Sequence, residues 1–180
     1  MLTGAAHGGL EARAEDDGTV RLSGRFPFGV AAELAPGRSE VFAPGSLEPR
    51  ANTFLLAQHR FESPLASTQA GTLELRSDGD GLTFEARLAP EVANTSHGGD
   101  VVRLVRSGLA VGVSPGFRVA RGGEQVERRN GGLVRTITRA ELHELSIVTR
   151  PAFEAAQVEA RSWHPGRGVD AHVPAAWRWR

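Results

Sequence analysis

Gly71–Leu88 reads GTLELRSDGDGLTFEARL, and this stretch decides the fold class. Apolar residues take every second position in two runs, Leu73 and Leu75, then Leu82, Phe84, Ala86 and Leu88, on either side of Ser77-Asp78-Gly79-Asp80-Gly81. A period of two gathers the apolar side chains on one face of a strand, and a Gly/Asp cluster lets the chain reverse, so the segment predicts an antiparallel hairpin.

Outward from the hairpin the same period recurs. In Thr19–Val30, TVRLSGRFPFGV, the residues Val20, Leu22, Phe26 and Phe28 alternate, interrupted at Gly24, where a bulge or bend is expected. Arg38–Arg50, RSEVFAPGSLEPR, reads as a short strand, a Pro-Gly turn and a single helical turn over Ser46–Arg50. Thr53–Gln58 is an apolar run of strand length that ends at His59. Between Pro90 and Ser107 the apolar residues cluster late, and Gly108 stands where a helix C-cap belongs. A helix from Thr95 or Gly99 to Ser107 is therefore predicted. Strands are predicted again over Leu109–Ala120, Leu133–Thr138 and Ala140–Val148, with a polar Gly-rich turn after the first and a closing run at Ala155–Arg161. About seven short strands with one main helix give an α+β class, a mostly antiparallel barrel or sandwich. Residues 1–18 read as a flexible arm, 19–161 as the folded domain, and 162–180, which hold all three tryptophans, as a loosely ordered tail.

Composition narrows the function. A chain of 180 residues with 40% hydrophobic and 23% charged residues is one folded domain. Its 21 basic groups, all arginine, balance 21 acidic ones, so no global positive field draws it to nucleic acid. Without cysteine there are no disulfides, no thiolate nucleophile and no cysteine zinc site. The histidines show no metal-binding spacing, so neither metal nor cofactor is expected. The start lacks a basic-then-apolar leader and no run reaches a membrane span, which gives the expectation of a cytoplasmic protein that does not engage a membrane.

Of six histidines, His7, His164 and His172 fall in the two arms, and His97 sits near a helix start. His59 ends the strand LLAQHR, where a side chain can leave the core and still be held, although a structural histidine fits there as well. In GLAVGVSPGFRV, Ser114 shares a face with Gly112 and Gly116, which leaves space around its hydroxyl for a substrate; a glycine-flanked serine can equally mark a backbone bend. In ELHELSIVTRPAF, strict alternation places Leu142, Glu144, Ser146 and Val148 on one face and His143, Leu145 and Ile147 on the other. A carboxylate in so apolar a strand needs a partner, and a histidine is the natural one.

The segments EVFAPGSL, AQHRFESPLAST, SGLAVGVSPGFRV and LHELSIVTRPAF, in this order, resemble the prohead maturation proteases of tailed bacteriophages. The similarity covers about Gly24–Arg161. It implies a relative of the herpesvirus assemblin fold, a β-barrel with surrounding helices, that carries a serine endopeptidase site. Residue by residue, the family's histidine falls on His59, its serine on Ser114 and its acid on Glu144. His143 is the alternative third member, because the herpesvirus relatives use a second histidine. Arg60 and Ala66 stand where the family often has aspartate and glycine. Pro115 has no N–H to offer an oxyanion, so by resemblance the donors are expected from the loop at Thr149 and Arg150. The resemblance also implies the substrates, namely scaffold segments of the major capsid protein precursor and the protease itself, and the place, the assembling procapsid in the host cytoplasm. Self-association is left open. Two other readings compete: a catalytically inactive capsid-assembly or scaffold-binding domain of the same fold, and a non-enzymatic barrel in which Ser114 is a turn residue and Glu144 a surface ion-pair partner.

Overall fold

The computed structural model describes residues 10–110 and 112–149. Along them run strands β1 (Glu11–Ala14), β2 (Val20–Pro27), β3 (Ala32–Ala35), β4 (Arg38–Phe42), β5 (Leu47–Ala57), β6 (Arg60–Ser67), β7 (Leu73–Ser77) and β8 (Gly81–Leu88). Helices α1 (Pro90–Ala93) and α2 (Ser96–Arg106) follow, then strands β9 (Gly112–Val119), β10 (Glu124–Arg129), β11 (Gly132–Ile137) and β12 (Ala140–Val148). They form three four-stranded sheets, ordered β1-β2-β8-β7, β10-β11-β4-β3 and β6-β5-β12-β9.

The hairpin that sets the class is β7–β8, in register from Leu73 opposite Ala86 to Ser77 opposite Leu82. Its turn is closed by Asp78, whose Oδ1 accepts from the Asp80 and Gly81 N–H groups at 2.8 and 2.9 Å. Those N–H groups, first that of Asp80, and the Arg25 guanidinium hold the Asp78 carboxyl below the usual carboxylate range. Leu82, Phe84, Ala86 and Leu88 enter one core with Val20, Leu22 and Phe26 of β2, Phe42 of β4, Leu55 of β5, and Leu142, Leu145 and Ile147 of β12. Helix α2 covers it with Val101, Val102 and Val105. The helix starts where Thr95 accepts the Gly98 N–H and stops before Gly108, whose φ is +70°, as the C-cap pattern predicts.

The α+β, sheet-rich class stands, but the barrel does not appear as a closed ring among the described residues. Two pairings, β4 with β11 and β5 with β12, are parallel. Alternation reports which face of a strand is buried and not which strand lies beside it, so neither the parallel neighbours nor the breaks between sheets could be read from it. Four local expectations change as well. Gly24 is no bulge: β2 pairs with β8 without a break, and a Cβ at Gly24 would lie 2.6 Å from the Phe84 ring. The helical turn over Ser46–Arg50 is instead the start of β5, where Leu47, Glu48 and Pro49 pair with Ala140, Glu141 and Leu142. The polar turn after Ala120 contains β10, which is exposed at every position and so carries no alternation. The arm expected over 1–18 holds β1, paired antiparallel with β2. The closing run at Ala155–Arg161, the tail at 162–180, and His7, His164 and His172 lie outside the described residues.

Candidate active site

The sheet β6-β5-β12-β9 carries the site. On β12, Glu144 stands opposite Gly116 and Ser146 opposite Ser114 of β9; on its other side the same two residues align with Phe54 and Leu56 of β5. Residues level with one another in a sheet share a face, so Ser114, Glu144 and Ser146 point the same way. The face assignment made by strict alternation is corrected at one place. The register shifts between Leu142 and Glu144, so that Leu142 lies opposite Phe117. One extra residue, His143, changes the phase: Leu142 joins Leu145 and Ile147 in the core and leaves Glu144 and Ser146 on the opposite face.

His59 arrives from a two-residue turn. Ala57 pairs with Arg60 across the β5–β6 hairpin, and the residues between them, Gln58 and His59, have φ of +53° and +59°. Such a turn matches strand twist but suits Asn-Gly, and each non-glycine residue in this region costs about 1–2 kcal/mol. Contacts to β12 hold it. The Gln58 N–H donates to the Ile147 carbonyl at 3.1 Å and the His59 N–H to Ser146 Oγ at 2.9 Å. The imidazole turns back over the strand, where Nδ1 meets Glu144 Oε1 at 2.7 Å. A carboxylate only accepts, so Nδ1 carries the proton, and Nε2 of the neutral ring is left as an acceptor. The other carboxylate oxygen, Oε2, accepts from Ser146 Oγ at 2.7 Å. Glu144 is 1% exposed and the His59 side chain 37%, so the carboxylate is enclosed and the imidazole faces outward. An enclosed Glu144 rules out its reading as a surface ion-pair partner.

Ser114 is buried beside Ser146, and among the described residues no hydrogen bond joins its hydroxyl to the imidazole. The room expected next to Ser114 is used by the acid: a Cβ at Gly116 would overlap Glu144 Oε1. Gly116→Ala is accordingly expected to cost about 1–3 kcal/mol of stability and to push the carboxylate off His59. A thermal melt and an activity assay on the same sample check both effects.

The alternative third member points elsewhere. His143 Nδ1 lies 3.2 Å from an Arg50 Nη1 and Nε2 lies 3.4 Å from Glu141 Oε2. Burial, and then the Arg50 charge, pull its pKa down. Glu141 is held low mainly by the hydrogen bond from Arg118. Thr149 is exposed beside the His59 turn, its Oγ1 3.4 Å from Gln58 Nε2, while Arg150 lies outside the described residues. His97 contacts the Pro64 carbonyl through Nε2 at 3.2 Å. Among the described residues no set of three or more His, Asp or Glu side chains is arranged to hold a metal ion, and no helix is long and apolar enough to cross a membrane.

Two residues of the site escaped the sequence reading as contributors, Gly116 as the seat of the acid and Ser146 as its second partner. The signal for Ser146 was present in its position two residues after Glu144, a hydroxyl within the run Leu145–Val148 that is otherwise apolar.

The profile of the Caudovirus prohead serine protease family matches residues 9–166. No curated protein and no solved structure matches the chain.

Proposed function

Because this chain belongs to the caudovirus prohead serine proteases, a family whose role is capsid maturation, we propose that it is a serine endopeptidase in which Ser114 is the nucleophile, His59 the general base and Glu144 the orienting acid. The observation that carries the assignment is the 2.7 Å contact of His59 Nδ1 with Glu144 on the face that Ser114 shares. With Nδ1–H committed to the carboxylate, Nε2 is poised to take the Ser114 proton as the hydroxyl adds to a peptide carbonyl. Glu144 steadies the imidazolium. That proton then passes to the leaving amine, and water hydrolyses the acyl-enzyme by the same route in reverse. Substrate entry closes the gap between the hydroxyl and Nε2 by side-chain rotation. Backbone N–H groups at Thr149 and Arg150 serve the oxyanion, since Pro115 has none to give.

The substrates are scaffold segments of the major capsid protein precursor and the protease itself, processed inside the assembling procapsid in the host cytoplasm. The enclosing β-rich framework is of the assemblin kind. A fluorophosphonate probe tests the nucleophile without needing the cleavage sequence. Peptide mapping is expected to find one adduct, on Ser114, and labelled protein is expected to leave capsid precursor uncut. Precursor cleavage by a chain whose Ser114 stays unlabelled would overturn the assignment, and an inert chain would favour the inactive assembly domain.

A further inference from the structure

Two serines face one another across β9 and β12, and their surroundings differ. Ser146 is 0% exposed, and both functions of its hydroxyl are used: it accepts from the His59 N–H at 2.9 Å and donates to Glu144 Oε2 at 2.7 Å. With the 2.7 Å contact from His59 Nδ1 to Glu144 Oε1, these bonds form a closed circuit of His59 backbone, Ser146 hydroxyl, Glu144 carboxylate and His59 ring. We propose that Ser146 is the positioning residue of this site, coupling the His59 turn to the acid so that ring and backbone of the base are fixed by one strand. The proposal rests on the assignment of His59 and Glu144 given above.

A buried serine kept for packing alone needs one partner, and small apolar residues fill the same volume. Here one hydroxyl meets two separate demands. Gln58 and His59 both sit at positive φ, where side-chain-bearing residues relax toward other conformations unless the surroundings hold them. The Ser146 acceptor ties the backbone of His59 to β12, as Glu144 ties its ring. Glu144, bonded by the imidazole through Oε1 alone, could turn about its last torsion; the Ser146 donor on Oε2 fixes the carboxylate plane. Ser146 also differs from Ser114 in that its single proton is committed to Glu144.

The test compares the full chain with Ser146→Ala and Ser146→Thr. Two readouts are taken, the rate of fluorophosphonate labelling at Ser114 and the solvent exchange of the His59 Nδ1–H proton by NMR. Ser146→Ala is expected to slow labelling by about 10–100-fold and to speed exchange, as loss of a buried hydrogen-bond partner predicts. Ser146→Thr keeps the hydroxyl and suits a strand, and is expected to return both readouts to within about threefold of wild type. If the alanine variant does not fold, Ser146→Cys fills the site with a slightly larger atom and a much weaker donor and is expected to behave as the alanine variant should. Wild-type labelling and exchange in the alanine or cysteine variant would overturn the role. Should the wild-type chain itself fail to label, the protease assignment falls, and proton exchange at His59 still decides Ser146.

Discussion

Ser114→Ala is expected to lower cleavage of capsid precursor by about 10⁴-fold or more while the protein stays folded. The loss is large because the other members act only through the hydroxyl: a base without a nucleophile to deprotonate leaves transition-state binding alone. Folding should be spared. Among the described residues Ser114 Oγ makes no hydrogen bond to the imidazole, so removing it orphans neither His59 nor Glu144, which keep their mutual contact at 2.7 Å. The change in stability should stay below about 1 kcal/mol, as for an isosteric change that breaks no buried pair. A gel assay for precursor fragments and a circular-dichroism melt check both halves. Cleavage at the wild-type rate would remove Ser114 from the chemistry.

Glu144→Gln should cost about 10³–10⁴-fold in kcat, with His143→Ala within about threefold of wild type. The amide keeps the volume and offers one acceptor oxygen, for which His59 Nδ1–H and Ser146 Oγ–H then compete, and its NH₂ presents donors where an acceptor stood. An amide donor facing Nδ1 favours the tautomer with the proton on Nε2, which can no longer accept from Ser114. His143 lies among Arg50, Glu141 and Arg118 on the outer side of the bulge, and its removal touches only that exposed group. Steady-state kinetics on both variants decide between the acid and the histidine. A large loss in His143→Ala with none in Glu144→Gln would reverse the assignment.

Much of this was legible in the order of the residues. Leu82 to Leu88 announced a strand with one buried face, the late cluster Val101–Val105 and Gly108 placed the helix and its end, and the apolar run around Glu144 called for the histidine partner that His59 supplies. What stayed hidden depended on partners distant in the chain. The phase change at His143 leaves Glu144 and Leu142 at a spacing that normally means one face, and only pairing with β5 and β9 sets them apart. Strand β10 has no buried side chain to produce a pattern, and β6 carries Pro64, a residue that argues against a strand until β6 is seen to be an edge. Gly24 and Gly116 looked like breaks or open space because a missing side chain does not say what occupies its place: a Phe84 ring in one case, a carboxylate in the other.

The parallel pairing of β5 with β12 also sets a schedule. His59 and Glu144 are separated by 85 positions, and every strand from β6 to β11 is threaded between them. Contacts so remote in sequence form slowly, since the intervening loop must be closed before they are rewarded. During synthesis on the ribosome His59 and Ser114 emerge before Glu144, and a nascent chain that stops short of β12 holds neither Glu144 nor Ser146. The contact between His59 and Glu144 is thereby withheld until translation has delivered β12, a delay written into the topology.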